Sequence, residues 1–180
     1  ATADVKCAFL NAHMNTDVFM KIDKQISQLL LSIEPSYQQF INDDGTIIVK
    51  LLRALYGCLQ SSKLWYDELS SFIESIGFVK SENDVCLFTK LEDDQSTTHL
   101  SVYVDDLLIT STNKIYISRV EQQLIQKYNE ITFNYGNKQE YLAMNFSFNE
   151  DKSVHVTMTK DSGHSQRLQY FQVSDFSCNK

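Results

Sequence analysis

The sequence predicts an α+β fold, an antiparallel sheet with helices packed on one side. Three observations carry that expectation. The stretches "SSKLWYDELSSFIESIGF" (61–78) and "STNKIYISRVEQQLIQKY" (111–128) repeat apolar residues at helical spacing. Several short β-branched or aromatic stretches are separated by polar turn signals. The strand-like "HLSVYVDDLLIT" (99–110) bends at Asp105 and Asp106, which marks an antiparallel hairpin. The split β-α-β arrangement is the candidate topology. At 180 residues and 43% hydrophobic, with 11 Phe and 9 Tyr, the chain has enough apolar volume for a core. Only 5 Gly and 1 Pro exclude a collagen-like or low-complexity chain.

Taken in order, "ADVKCAFLNAHM" (3–14) opens as a strand and turns helical, and "DVFMKID" (17–23) alternates as a strand does. "KQISQLLLSIEPSYQQF" (24–40) is a short helix stopped near Pro35, whose ring cannot continue the hydrogen-bond ladder. "DDGT" (43–46) is a turn, and "IIVKLLRALYGC" (47–58) a strand closing at Gly57. In the first long helix Trp65, Leu69, Phe72, Ile73 and Ile76 share a face, with Ser61 or Ser62 as its cap and Gly77 at its end. "DVCLFTK" (84–90) is a strand and "LEDDQSTT" (91–98) a polar turn before the acidic hairpin. The second long helix aligns Ile117, Val120, Leu124 and Tyr128. "EYLAMNFSFNEDKSVHVTMTK" (140–160) is a hairpin turning at Asn149 to Lys152, and "SGHSQRLQYF" (162–171) starts a last helix. No repeat or linker interrupts the order.

Acidic residues outnumber basic ones by 23 to 16, a net charge of −7. That excludes whole-surface attraction to nucleic acid and leaves only a local basic groove for such a role. Cys7, Cys58, Cys86 and Cys178 form no C-x-x-C pair, so the zinc signal is absent and reduced thiols are expected. No secretory leader is recognisable and no apolar run reaches the length of a membrane span. The expectation is an intracellular protein, in a cytoplasmic particle or the nucleus, neither secreted nor membrane-bound. A chain opening at Ala1 rather than Met is expected to be processed or to belong to a longer reading frame.

Asp105 and Asp106 are the chemical puzzle. Two adjacent carboxylates in an apolar β-branched stretch need a partner, a proton or a metal. A solvated turn is one answer and a divalent cation held by both is another.

"YVDD" (103–106) does not stand alone. "ADVKCAFLNA" lies upstream and "ALYGCLQSSKLWYDEL" (54–69) between, three blocks in a fixed order. With them the chain resembles the reverse transcriptase of Ty1/copia-type LTR retrotransposons, over essentially its whole length and most strongly over Asp4 to Thr110. The resemblance implies a reverse-transcriptase palm with partial fingers. Residues 1–12 would be the first catalytic strand of the palm, 13–60 partial fingers, 61–146 the palm with its YVDD hairpin, and 147–180 the palm end and start of the thumb connection. It implies RNA-directed DNA polymerisation, in which a primer 3′-hydroxyl attacks the α-phosphate of a dNTP with two Mg²⁺ about 3.5–4 Å apart; Mn²⁺ can substitute. Asp4 and Asp105 would bridge the metals, with Asp106 in support. The implied partners are an RNA or DNA template with its primer, dNTPs, and the remaining Pol domains where a longer frame exists.

The resemblance also assigns Val5, Phe9, Tyr56 and Gly57 to nucleotide binding, and Tyr103, Gln60 and Met144 to primer and template. Phe9 would be a steric gate against the ribose 2′-hydroxyl; read alone it is a core phenylalanine. Tyr56 would stack near the template–nucleotide pair; read alone it is a half-buried strand tyrosine. Met144 is equally a packed hairpin methionine. Trp65, on an apolar helix face, reads as core. The chain departs from the family at Leu59, where Lys is usual, at Ser62, where Pro is usual, and at Ala143, where Gly is usual. Lys50, Arg53 and Lys63 are the basic candidates for phosphate contacts. Basic fingers residues, most of the thumb and any ribonuclease H domain are expected outside these 180 residues. A second reading is a catalytically inactive retrotransposon remnant acting at most as a binding or interaction module. A third, an unrelated metal-dependent phosphohydrolase, lacks ligand-spaced histidines, since His13, His99, His155 and His164 form no motif.

Overall fold

The computed structural model describes residues 1–151 and 153–158 and the backbone of Phe171–Gln172. In chain order the strands are β1 (Thr2–Val5), β2 (Phe19–Ile22), β3 (Ile47–Lys50), β4 (Val79–Lys80), β5 (Leu87–Leu91), β6 (Thr97–Tyr103), β7 (Asp106–Ser111), β8 (Ile131–Asn134), β9 (Lys138–Tyr141), β10 (Met144–Phe148), β11 (Ser153–Met158) and β12 (Phe171–Gln172). The helices are α1 (Lys24–Ile33), α2 (Ser61–Ser75) and α3 (Lys114–Tyr128), with 3₁₀ turns at Ala8–Asn11 and Pro35–Phe40. The result is a mixed α/β protein with antiparallel sheets and few helices. It folds as two compact units, one of Phe9–Glu68, the other of Ala1–Ala8 with the chain from Leu69 onward.

The second of these units holds a six-stranded antiparallel sheet in the order β4-β5-β6-β7-β1-β8. Its register sets Ala3 beside Leu107 and Val102, and Ile109 beside Leu100 and Phe88. All six are buried on one face. Each large apolar side chain removed from water there contributes about 1.5–3 kcal/mol. Helix α3 packs against β7 and β8. Its N-terminus is capped by Asn113, whose side chain accepts the Ile115 N–H at 3.0 Å, and Lys127 sits in its last turn, where a cation favours the dipole. Its buried stripe is Tyr116, Val120, Leu124 and Tyr128. The expected Ile117 is displaced from that stripe: a strict spacing of four residues carries the face through Tyr116 and leaves Ile117 half-buried on the flank. The Phe72 ring meets Tyr128 edge-on at 5.5 Å, and Leu69 and Ile73 are fully buried. A four-stranded antiparallel sheet, β12-β11-β10-β9, completes the unit.

In the unit of Phe9–Glu68, β2 and β3 pair as an antiparallel ladder and Asp23 caps α1 through the Ile26 N–H at 2.9 Å. The strand expected over 47–58 ends at Lys50. Beyond it Leu51 N–H reaches Val18 O, but the next bonds join Leu52 to Met14 and Ala54 to Ala12. The partner segment detours at Asn15–Asp17, so a regular ladder cannot continue. Trp65 is 1% exposed and packs as core.

Strands β4, β8 and β9 were not expected from the sequence pattern. The helix expected over 162–171 lies outside the described residues, except for Phe171, which is in β12. Among the described residues there is no disulfide, and no helix is long and apolar enough to cross a membrane.

Candidate active site

Strand β1 pairs with β7 so that Thr2 faces Leu108, Ala3 faces Leu107 and Asp4 faces Asp106. Ala1 and Ile109 exchange both backbone bonds, at 2.9 and 2.8 Å, and Val5 N–H donates to Asp105 O at 3.1 Å. Antiparallel pairs alternate between hydrogen-bonded and non-hydrogen-bonded positions. Asp4 and Asp106 therefore occupy a non-hydrogen-bonded pair, where facing Cα atoms are about 4.5 Å apart and side chains are closest. Tyr103 of β6 is also in register with Asp106. Tyr103, Asp106 and Asp4 thus form one row across three strands, on the face opposite the apolar core. Val5, fully buried, points into that core.

Asp105 lies in the tight turn between β6 and β7. Val104 before it has φ +55°, as in a type II′ hairpin, whose first central position normally takes Gly. A β-branched residue in the left-handed region costs about 1–3 kcal/mol and persists where the surroundings over-determine it. Asp105 follows Val104 in that turn, and its charge acts on Asp106.

The Asp106 carboxyl is pushed above the usual carboxylate range, first by burial and then by the negative charges of Asp105, Asp4 and Glu140. Four acids therefore act on one locality. Among the described residues no ion pair joins Asp4 or Asp106 to a basic side chain. Asp4, Asp106 and Glu140 line a cavity of about 290 Å³ together with Thr132, Leu142 and Ala143. Carboxylate oxygens gathered in this way are the hard donors that a divalent ion of the Mg²⁺ type takes. Among the described residues no three His, Cys, Asp or Glu side chains stand in a ligating arrangement.

Met144 opens β10, opposite Tyr141 across a two-residue turn. The turn residues Leu142 and Ala143 both have positive φ, +53° and +56°. That is the I′ geometry that normally selects Asn-Gly, so glycine is the residue that would suit the position of Ala143 best, and nothing in the structure explains the alanine. Two residues of this hairpin, Glu140 and Tyr141, line the cavity, and Gln139 bonds Thr2 beside it, without any sequence signal that marks them.

The other expected residues lie in the unit of Phe9–Glu68. Phe9 is 8% exposed and its ring sits 4.2 Å from that of Tyr56, tilted by 37°. Tyr56 is 56% exposed. Gly57 has φ +94°, which a side chain would strain. Gln60 donates to Thr16 Oγ1 at 3.2 Å and approaches the Met14 sulfur at 3.7 Å, tying down the 14–16 segment. Lys50 is paired with Asp17 at 2.6 Å and Lys63 with Asp67 at 2.6 Å, while Arg53 donates to Asn11 O at 2.9 Å. Leu59, the departure from Lys, is 96% exposed.

A carboxylate row on an antiparallel sheet, flanked by a strained Tyr-Val-Asp-Asp turn, agrees with the family comparison. The sequence model of the family described as reverse transcriptase (RNA-dependent DNA polymerase) matches residues 1–175, and the chain belongs to that family. Its relatives are copia/Ty1-type Pol proteins. It is 34% identical over 130 residues to the Retrovirus-related Pol polyprotein from transposon RE1 of Arabidopsis thaliana, covering 69% of this chain and 8% of that protein. It is 26% identical over 125 residues to the Retrovirus-related Pol polyprotein from transposon TNT 1-94 of Nicotiana tabacum, with the same 69% and 8%. It is 24% identical over 138 residues to the Transposon Ty1-DR4 Gag-Pol polyprotein of Saccharomyces cerevisiae, covering 76% of this chain and 7% of that one. The chain thus spans only a small part of the relatives it matches. No solved structure matches it.

Proposed function

We propose that these residues are the palm and part of the fingers of a retrotransposon reverse transcriptase, which adds dNTPs to a primer 3′-hydroxyl on an RNA or DNA template. The observation that carries the reading is the facing pair Asp4 and Asp106 with Asp105 in the turn beside them. Like charges so placed oppose folding, and their retention is intelligible when the reaction needs them. The inert-remnant reading has no comparable observation in its favour.

Asp4, Asp105 and Asp106 would hold two Mg²⁺ or Mn²⁺, which when bound supply stabilisation of charge on the attacking and leaving oxygens. The protein's own part is positioning and a fixed electrostatic environment. Tyr103 and Met144, with Gln60, would steady primer and template. The exposed Tyr56 would stack near the nascent pair, with Gly57 letting backbone approach, while Val5, buried in the core behind the sheet, would act only by supporting β1. Phe9, held by Tyr56, would exclude a 2′-hydroxyl. The remaining Pol domains would complete the grip on nucleic acid, in a cytoplasmic particle or the nucleus.

The test is primer extension by the full polypeptide that carries these residues. Asp105→Asn should abolish metal-dependent extension. Phe9→Ala should raise ribonucleotide incorporation relative to deoxynucleotide by about ten-fold or more, the scale set by opening space in a shaped pocket. Undiminished extension by Asp105→Asn would sink the assignment.

A further inference from the structure

We propose that Gln139 and Tyr141 are positioning residues, two buried latches that hold the β9–β10 hairpin across the carboxylate face and so set where a primer end sits. The proposal rests on the polymerase reading above.

The β9 strand belongs to a different sheet from β1 and β6, so no shared backbone ladder fixes the hairpin to the carboxylates. Side chains do it instead. Gln139 is 4% exposed. Its Oε1 accepts the Thr2 N–H at 3.2 Å and the Thr2 hydroxyl at 2.9 Å, while its Nε2 donates to Gly136 O at 3.0 Å. One amide is thus tied both to its own loop and to β1. Tyr141 is also buried, and its hydroxyl is 3.1 Å from Ser101 Oγ on β6.

The two anchor points are related by the register. Thr2 and Ser101 both face Leu108 of β7, from either side. They form a row Thr2–Leu108–Ser101, parallel to the row Asp4–Asp106–Tyr103 and two residues away, about 7 Å at strand rise. The hairpin therefore straddles β7 one row from the carboxylates, and its tip, Leu142 and Ala143, lines the same cavity as Asp4 and Asp106. That tip holds two non-glycine residues at positive φ, a conformation that persists when its surroundings fix it. Both latches lie on β9, the strand that leads into the tip, and fix that side of it. A packing role alone would be served by apolar side chains; hydrogen bonds to named atoms add direction, and direction is what a primer terminus needs relative to its acids.

The experiment uses the full polypeptide, with Gln139→Leu, Tyr141→Phe and the conservative Thr2→Ser, in two readouts. The first is single-nucleotide primer extension. Gln139→Leu and Tyr141→Phe should lower kcat about ten-fold or more, the penalty of a sub-ångström to 1 Å misplacement, with dNTP KM unchanged, and Thr2→Ser should retain wild-type kcat. The second is hydrogen exchange of the free protein. Amides of residues 138–148 should exchange faster in the two latch variants, while those of β6 and β7 keep their protection. Wild-type kcat in both latch variants, or unchanged exchange of the hairpin, would overturn the latch. Should the unmodified protein extend no primer, the polymerase reading fails, and exchange alone decides whether Gln139 and Tyr141 hold the hairpin.

Discussion

Asp4 and Asp106 face each other across a non-hydrogen-bonded position of the β1–β7 ladder, the closest approach two side chains on neighbouring strands can have. Directly opposed like charges cost about 0.2–1 kcal/mol. Asp106→Asn should therefore stabilise the metal-free protein by that amount, raising Tm by about 0.4–4 °C at this size. Added Mg²⁺ should stabilise the wild type by mass action and the variant less. Thermal melts with chelator and with Mg²⁺ check both; a variant that melts lower without metal would mean that the two carboxylates are not opposed in solution.

Ala143 sits at φ +56°. The left-handed region costs a residue with a Cβ about 1–2 kcal/mol, and glycine gives back about 0.4–1 kcal/mol through the unfolded chain. The difference leaves Ala143→Gly more stable by up to about 1.6 kcal/mol. Urea unfolding reads this directly, with an unchanged m value and a higher midpoint.

Asp44 gives the acid limb. Lys21 at 2.8 Å, with the Thr46 hydroxyl and N–H, holds its carboxyl well below the usual range. A depressed pKa contributes stability that is present above the unfolded value, about 3.9, and lost as pH falls towards the folded one. The Tm gap between wild type and Asp44→Asn should narrow from about pH 5 to about pH 2. A gap that stays constant over that range would place the stabilisation elsewhere.

Trp65 tests the division between core and site. At 1% exposed it has no free face, and Trp65→Ala should cost about 3–5 kcal/mol by chemical denaturation. A loss under about 1 kcal/mol would be incompatible with so buried an indole.

The helices were legible because their apolar period is local: Leu69 and Ile73 in α2, and Val120, Leu124 and Tyr128 in α3, follow from spacing alone; the cap expected at Ser61 or Ser62 is not there, since Ser61 is already in the first turn of α2 and its hydroxyl bonds Leu55. The 103–106 hairpin was legible for a similar reason, since an acidic pair cannot sit mid-strand unaided. What escaped is non-local. Strand β9 is Lys-Gln-Glu-Tyr and shows no apolar alternation; it exists because β10 pairs with it and because Gln139 and Tyr141 find Thr2 and Ser101. Nothing in a polar tetrapeptide announces that its glutamine is buried. The pairing of Asp4 with Asp106, rather than with its neighbour, depends on a register between residues more than a hundred positions apart. The resemblance brought these acids together as a set, and the ladder decides which two face.

Helix α1 has a consequence at the bench. Ile26, Leu29 and Ile33 are 52%, 61% and 73% exposed, and Ser27 is its buried residue. A dry stripe of that kind on an otherwise acidic surface sets the colloidal behaviour of the isolated segment. Net charge of −7 keeps molecules apart at low salt; raising the ionic strength shortens that repulsion to within about 10 Å and lets the stripes meet. Salt, the usual aid to purifying nucleic-acid enzymes, would here act as a precipitant, and a single Leu29→Lys would reverse it.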